Sequence, residues 1–401
     1  MKTLFQSALV DVCFEITWKK DGIHHSDRYF ADHLNGWRDI FPGSPLEILC
    51  GQDFGQPIIL RINPGDIVPD HSDQKVISLS RDRLASPLPV DLFRFGRFYP
   101  QGLIAGHPGI FRANMTPFRC VGETPDTITA DLNHPMAGIA FTMTIHVLKQ
   151  WDKAIERGGS CVDWIDLALS GPGMQARQNG TPTDFFFEQG LDRRDSGPDS
   201  DFYATNRFVH HIDRRARQEL AGIYRALIHP GDRILDLMAG WESHIPGGLT
   251  PLHIHGVGLN ANELASNPKL TAHTVQDLNT TCCLAFDDNA FDGAVCSLSI
   301  EYLTNPIPIF QEVARVLKPG GFFAVSFSNR WFPEKAIKLW ENLHDFERMG
   351  LVTEYFIQSG CFYEISTISS RGFPRPHDDN YFPKLRLSDP IYTVIGRTLD
   401  K

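Results

Sequence analysis

The sequence has no block of lysine and arginine, no apolar run of membrane-spanning length, and no cysteine pair in CxxC spacing. Its 38 Lys and Arg residues face 48 Asp and Glu residues, which gives a net charge of −10. Because nucleic-acid surfaces need clustered positive charge, this balance argues against a nucleic-acid partner. The missing apolar run and the polar interruptions near the start predict no membrane partner and a cytoplasmic location. The eight cysteines are expected to be core thiols.

The stretch that is most informative covers residues 233–264. Ile234, Leu235 and Leu237 form a short apolar run that is typical of a buried parallel strand. Small residues up to Gly240 follow it, and they allow the backbone to turn sharply and approach a ligand. A second strand-like run covers residues 254–259. Strand, turn, crossover and strand open a doubly wound sheet, which binds ligands at the carboxyl ends of its strands.

Further strand-like runs follow at residues 274–278, 293–298 and 322–327. Helical spacing extends from Phe208 to Leu227 before the first strand. The segments FDDNAFDGAVCSLSIEYL (286–303) and FQEVARVLKPGGFFAVSFSNR (310–330) resemble the central part of class I S-adenosylmethionine-dependent methyltransferases. The resemblance covers about residues 185–401. It implies an α/β fold with a Rossmann-like, mostly parallel, seven-stranded sheet.

The resemblance also implies a set of residues that bind S-adenosylmethionine. In that family the turn after the first strand holds the methionine part of the cofactor, an acid after the second strand binds the ribose, and an acid after the third binds the adenine. Here the ribose position holds Asn260, with Glu263 one turn later as an alternative. The expected cofactor-binding residues are Asp236, Met238, Ala239, Gly240, Trp241, Asn260, Asp277, Leu278, Asn279, Ser297 and Arg207.

Candidate catalytic residues lie where strands four and five are expected to end, and in the cofactor turn. They are Glu301, Tyr302, His244, Asn329 and Arg330. If the reaction needs a proton acceptor, Glu301 or His244 is the candidate. The alternative for Glu301 and Tyr302 is structural, as a helix cap and a core residue. Neighbouring His210 and His211 point to different faces of a helix, so no metal site is expected.

The resulting functional hypothesis is methyl transfer from S-adenosylmethionine to a small-molecule acceptor. A thiol is one candidate acceptor, because a thiolate needs little help from a base. The alternative is a methyltransferase-like binding protein with little or no turnover, joined to a peptidyl-prolyl isomerase or chaperone module. The bulky turn DLMAGWESHIP and Asn260 favour that alternative.

The first 150 residues are predicted to be mostly β-structure. The segment NHPMAG (133–138) and the alternating run after it resemble the SlyD-like branch of FKBP peptidyl-prolyl isomerases. That family grips a prolyl ring in an aromatic bowl, but Ile16 and Met143 stand where aromatic residues are usual. A binding role, with a protein contact through this FKBP-like domain, is therefore expected in place of strong isomerase activity. The predicted division is an FKBP/SlyD-like domain (1–155), a linker with short helices (156–200) and a methyltransferase domain (201–401).

Overall fold

The computed structural model describes residues 8–41, 43–49, 55–84, 93–151, 158–186, 189–250 and 252–399. The chain divides into two compact units. The first unit comprises Met1–Asp21, Ala31–Glu188 and Leu343–Leu351, and the second comprises Gly22–Phe30, Gln189–Asn342 and Val352–Lys401. The predicted boundary at residue 155 lies outside the described residues, and the predicted division into domains stays a prediction. None of the helices in the described ranges has the length and apolar character that a membrane crossing needs.

The strands of the first half of the chain pair mainly in antiparallel fashion, and three of them are long. They are β1 (Leu9–Lys20), β2 (Ile23–Asn35), β3 (Ile58–Ile62), β4 (Val76–Ser80), β5 (Phe98–Pro100), β6 (Pro117–Glu123), β7 (Thr127–Asp131) and β8 (Phe141–Trp151). Strand β8 pairs with β1 on one side and β3 on the other. A separate four-stranded sheet has the order β4-β7-β6-β5. A single helix, α1 (Trp164–Leu169), follows β8 in the described part of the first unit before residue 186.

The core of the four-stranded sheet is formed by alternating side chains, including Phe118, Ile128 and Ala130, all fully buried. A buried ion pair also lies in the first unit: Arg97 Nε contacts Glu347 Oε1 at 2.9 Å. The same carboxylate oxygen accepts the backbone N–H of Phe98 at 2.9 Å. These two contacts compensate the charge of Glu347 where water is excluded.

The second unit contains the remaining strands. They are β9 (Arg233–Leu237), β10 (His253–Gly258), β11 (Ala272–Val275), β12 (Phe291–Ser297), β13 (Leu317–Phe327), β14 (Phe362–Arg371) and β15 (Ile391–Thr398). Its helices are α2 (Asp199–Phe202), α3 (Arg214–Arg225), α4 (Ala261–Ser266), α5 (Pro306–Val316), α6 (Lys338–Glu341) and α7 (Asp345–Ser359), the last of which begins in the first unit.

The sheet of the second unit has the order β11-β10-β9-β12-β13-β15-β14-β2. Five strands, β11, β10, β9, β12 and β13, lie side by side in this order and run parallel. Strand β15 lies between β13 and β14 and runs antiparallel to both. Strands β10 and β11 lie on one side of β9, and the next two strands, β12 and β13, lie on its other side. The order of the strands therefore changes direction at β9. This is the α/β arrangement that was predicted, and it places a ligand-binding crevice at the carboxyl ends of β9 and β12.

Residues 201–401 supply seven strands to this sheet, β9 to β15. The first part of β2 adds an eighth strand, which pairs in parallel with β14 over His24–Tyr29 and Ser366–Arg371. Two buried side-chain bonds fix this register: Ser369 Oγ donates to Asp27 Oδ1 at 2.8 Å, and His25 Nδ1 lies 2.8 Å from Thr367 Oγ1. A local sequence pattern does not indicate this pairing, because the bonded residues lie 342 positions apart.

The helix before β9 is shorter than the predicted 208–227. Helix α3 begins after Asp213, whose carboxylate accepts the backbone N–H groups of Arg215 and Ala216 at 2.8 and 3.1 Å. Because this carboxylate satisfies two otherwise unpaired N–H donors, the helix begins sharply at this point. The residues just before Asp213, including His210 and His211, are therefore not helical, and these two histidines lie beside the crevice.

Candidate active site

A cavity of about 520 Å³ lies at the carboxyl ends of the parallel strands of the second unit. This volume is in the range of small-molecule and cofactor sites. Most of the predicted site residues line it, namely Met238, Ala239, Gly240, Trp241, Asn260, Asp277, Leu278, Asn279, Ser297, Arg207, Tyr302, His244 and Arg330. The sheet topology brings them together, because their strands end at the same edge.

Three predicted residues do not line the cavity. Asp236 is buried beneath the turn after β9, and Asn329 is exposed. Glu301 is completely buried, in a short 3₁₀ segment after β12. The neighbouring Tyr302 hydroxyl accepts the backbone N–H of Phe332 at 3.0 Å and lines the cavity from below. A proton acceptor must reach the substrate, so the geometry gives His244 the advantage over Glu301.

The turn after β9 approaches the neighbouring strand closely. Ala239 N–H donates to Val257 O at 2.8 Å, and Asn267 Nδ2 donates to Gly240 O at 2.9 Å. A Cβ on Gly258 would lie 2.1 Å from Ala239 O. The small residue that lets this turn fold inward therefore belongs to β10, whereas the sequence had pointed to small residues within the turn itself.

Met238 holds the tightest part of this turn. Its φ of +56° lies in the left-handed region, which costs a residue with a side chain roughly 1–2 kcal/mol. The backbone bonds of Ala239 and Gly240 to β10 and to Asn267 maintain this conformation. A bulky sequence thus adopts a turn that usually contains several glycines.

Asn260 is occupied by structural bonds. Its Oδ1 accepts the N–H groups of Asn262 and Glu263 at 3.0 and 3.1 Å, which caps α4. Its Nδ2 donates to Tyr203 O at 2.9 Å. The amide thus has little capacity left for a ribose, and the Glu263 carboxylate, which also lines the cavity, is the better acceptor. Glu263 Oε1 accepts Arg207 N–H at 2.7 Å, which fixes its direction.

Asp277 retains unused acceptor capacity. Its Oδ1 accepts Asn279 N–H and its Oδ2 accepts Thr280 Oγ1, both at 2.9 Å. An ionised carboxylate has about four lone-pair positions, so each oxygen can take a further donor from the cavity. Asn279 has a different role. Its Nδ2 donates to Asp199 Oδ2 and to Tyr302 O, each at 2.9 Å, and so ties the loop after β11 to the segment after β12.

Three aromatic rings surround Arg207 on the opposite wall, and of these only Phe332 was not expected from the sequence. The Arg207 guanidinium lies over Phe202 at 4.5 Å, Phe332 at 5.3 Å and Tyr203 at 5.5 Å. Stacking of this kind holds the guanidinium in one orientation. Phe332 lies two residues after the SFSNR segment, but nothing in its spacing indicated that it would meet residues 202–207.

Arg330 is the least constrained cation of the cavity wall. Within the described part of the chain its guanidinium makes no hydrogen bond, only a 4.0 Å contact to Asp389 and a stack over Tyr381 at 4.3 Å. Arg217, by contrast, donates to Glu242 at 3.0 Å, and His210 Nδ1 lies 2.7 Å from the same carboxylate. Arg330 is therefore available to an anionic group in the cavity.

Two buried ionisable groups lie on either side of the turn. Burial lowers the pKa of His244 to about 4, and its Nδ1 has no hydrogen-bond partner in the described residues. Burial raises the pKa of Asp236 to about 7, although a short hydrogen bond from Ser243 Oγ opposes this rise. His244 is thus neutral at pH 7, so it can accept a proton there, but only as a weak base.

These shifts predict opposite pH effects on stability. The folded pKa of His244 lies below the ordinary value of 6.5, so the unfolded chain binds the extra proton as the pH falls from 6.5 to 4. His244 should therefore cost about 2–3 kcal/mol of stability over this range. The folded pKa of Asp236 lies above its ordinary 3.8, so its contribution is lost as the pH rises from 3.8 to 7. Urea unfolding at several pH values should show a shallower acid loss in His244→Gln and a steeper one in Asp236→Asn. The same slope in both variants would contradict this assignment.

Comparison with known proteins adds independent information. Residues 248–325 match a family described as "Methyltransferase domain". The chain is 32% identical over 98 residues to the ubiquinone/menaquinone biosynthesis C-methyltransferase UbiE of Bartonella tribocorum, covering 24% of this chain and 36% of that protein. It is 23% identical over 169 residues to phosphoethanolamine N-methyltransferase 2 of Caenorhabditis elegans, covering 39% and 36%. The chain thus spans little more than a third of these relatives.

A third similarity concerns the other half of the chain. A short-type peptidyl-prolyl cis-trans isomerase of Methanocaldococcus jannaschii is 26% identical over 142 residues, which is 35% of this chain and 80% of that protein.

A solved structure described as a SAM-dependent methyltransferase from Thermotoga maritima aligns with 46% of this chain and 89% of its own length, at 16% identity and a TM-score of 0.34.

The cavity, the strand order and the matched family agree on the class of the domain that contains this cavity. The chain contains a methyltransferase domain of the S-adenosylmethionine-dependent type, with a Rossmann-like α/β sheet.

Proposed function

We propose that the protein transfers a methyl group from S-adenosylmethionine to a small-molecule acceptor. The observation that carries this proposal is the cavity at the carboxyl ends of β9, β10 and β12, in a domain of the matched family. When bound, the cofactor supplies the electrophilic methyl group. The residues of this chain then have three tasks: to hold it, to exclude water and to orient the acceptor.

The residues present fit such a cofactor. The turn at Met238–Gly240 offers a backbone wall, Glu263 has a fixed carboxylate for a hydroxyl group, and Asp277 has free acceptor positions for an amino group. Arg207 and its aromatic neighbours cover the opposite side. Acids and amides placed in this order suit a nucleoside that carries hydroxyl and amino donors.

The electrostatics of the cavity favour an acceptor that needs little help from a base. His244 is neutral but weakly basic, and Glu301 lies outside the cavity wall. A thiol meets this condition, since its thiolate is already a strong nucleophile. Arg330 would hold an anionic part of the acceptor, because it has no competing hydrogen bond among the described residues.

Two measurements on the full chain test the proposal. Calorimetry with S-adenosylmethionine and with S-adenosylhomocysteine should show binding, and both should raise the melting temperature. A screen that follows consumption of the cofactor over thiols, amines, phenols and carboxylates should identify an acceptor. Absence of binding at millimolar concentration would refute the proposal. Binding without turnover in the screen would favour the alternative, a methyltransferase-like binding protein.

Asp277→Ala is expected to weaken cofactor binding by about 1–3 kcal/mol, because a donor of the cofactor would lose its half-buried acceptor. Asp287→Ala is the matched control, since it removes an exposed carboxylate ten residues further on that does not line the cavity. Calorimetry on both variants checks this. Equal affinities would show that Asp277 does not contact the cofactor.

For the first unit we propose an FKBP-like binding module with weak isomerase activity. The partial similarity to the short-type isomerase supports the relation. Ile16 and Met143 are directly paired in the β1–β8 register and are both fully buried, so they serve as core residues and offer no aromatic surface.

A protease-coupled prolyl-peptide assay on the full chain should therefore show turnover far below that of an ordinary FKBP. Turnover comparable with such an enzyme would place a functional prolyl pocket elsewhere in the first unit.

A further inference from the structure

A second cavity, of about 590 Å³, lies within the first unit. The end of β1 supplies Lys19 and Lys20, β6 supplies Arg119, and β7 supplies Asp131. The NHPMAG segment and the following Ile139 form much of the remaining wall. The methyl-transfer proposal makes no use of this cavity.

Arg119 is a buried cation without a buried counter-charge at contact distance. It is 6% exposed. Its Nε donates to Gly96 O at 3.0 Å, its Nη1 to Gln178 Oε1 at 2.9 Å, and its Nη2 to Ala176 O through a short bond. All three partners are neutral oxygens, and no carboxylate of the described residues lies within 4.0 Å. A guanidinium has five N–H donors, so some remain unused.

Lys20 adds a second cation beside it. The ammonium is half-buried and makes no hydrogen bond or ion pair with any described residue. Burial and then the charge of Arg119 lower the pKa of Lys20, whereas Asp21 opposes this effect. Two cations held together at a desolvated surface are costly, and an anion between them would relieve that cost.

The one carboxylate in the cavity wall is already engaged. Asp131 Oδ1 accepts the backbone N–H of Asn133 at 2.9 Å and its Nδ2 at 2.8 Å. Asp131 Oδ2 lies 3.5 Å from His71 Nε2. Lys19, Lys20 and Arg119 therefore leave an excess of positive charge along the wall. His134 does not add to this charge at pH 7, since burial lowers its pKa.

Part of the remaining wall is apolar. Phe98, whose ring lies 4.6 Å from the Arg119 guanidinium, and Ile139 are both buried. We propose that this cavity binds a small anionic ligand, whose phosphate or carboxylate group is held by Lys20 and Arg119 and whose compact apolar body packs against Phe98 and Ile139. Charge-assisted bonds at a partly desolvated site are strong enough to make such binding specific.

The test uses the full chain and three probes at constant ionic strength: inorganic phosphate, phenyl phosphate and benzoate. Calorimetry should show binding of phenyl phosphate or benzoate, and the tighter of the two identifies the anionic group. Lys20→Met should lower the affinity by about tenfold or more, and Lys20→Arg should largely keep it. Arg61→Met is the charge-matched control, because Arg61 is exposed on β3 and does not line the cavity.

Stability measurements separate loss of the site from loss of the fold. Without probes, Lys20→Met should melt no lower than the original protein, since it removes an unpaired, half-buried charge. The proposal is overturned if neither organic probe binds at millimolar concentration, or if Arg61→Met weakens binding as much as Lys20→Met. Because Lys20 lies outside the cofactor cavity, either of these two results would leave the proposed methyl transfer unaffected.

Discussion

Replacing Gly258 by alanine is expected to lower the affinity for S-adenosylmethionine by about 100-fold. The new Cβ would lie 2.1 Å from Ala239 O, a backbone atom that cannot rotate away. The turn must therefore move by a large part of an ångström, and the cofactor would lose backbone partners worth about 1–3 kcal/mol, which is up to about 100-fold in affinity. Overpacking of this kind should also lower the free energy of unfolding by about 3 kcal/mol.

Gly256→Ala is the matched control on the same strand. Its Cβ would meet the Leu270 side chain at 2.5 Å, and a flexible side chain can shift to a new rotamer. Calorimetry should thus find near-original affinity in Gly256→Ala. If Gly258→Ala binds the cofactor equally well, the turn after β9 is not the binding wall.

Replacing Arg375 by methionine is expected to destabilise the second unit by about 3–5 kcal/mol. Arg375 is 3% exposed; its Nη2 makes a short bond to Asp389, and its Nη1 lies 3.5 Å from Asp213 Oδ2. Both carboxylates are buried, so removal of the guanidinium leaves Asp213 without its cation and Asp389 with only the 4.0 Å contact to Arg330. Asp213 also caps α3.

Arg397→Met is the comparison for this effect. Arg397 lies at the surface, with its Nε 3.9 Å from Glu364, and exposed ion pairs contribute about 0–1 kcal/mol. Urea unfolding of both variants at pH 7 gives the difference. Similar losses in the two variants would show that the buried cluster does not depend on Arg375.

The order of the parallel strands and the position of the cofactor cavity could be predicted because their signals are local. Apolar runs of four to seven residues, each followed by a polar or small residue, mark where a buried strand ends. The position of Asp277 beside the cavity follows from such a pattern, and its role as an acceptor stays a prediction. The capping role of Asn260 could also have been predicted, since asparagine directly before a helix is a common N-cap.

The remaining features depend on contacts between distant segments. Gly258 matters through the carbonyl of Ala239, and Arg207 through the ring of Phe332; neither partner is indicated by spacing. The N-terminal shortening of α3 depends on Asp213, which also accepts bonds from Ser388 and Asp389 at the far end of the chain. Such pairings are decided by packing of the whole sheet, which a local pattern does not encode.

The pairing of β2 with β14 has a consequence for how the protein is made. Asp27 and His25 are synthesised 342 residues before their partners Ser369 and Thr367. At about 5–20 residues per second, the ribosome needs roughly 20–70 s to supply the missing strand. During that time the side of residues 24–29 that pairs with β14 in the finished sheet stays open, and an open strand edge is prone to pair wrongly. Completion of this sheet is therefore a post-translational event, and a nascent chain that stops before residue 366 should need chaperone protection to stay soluble.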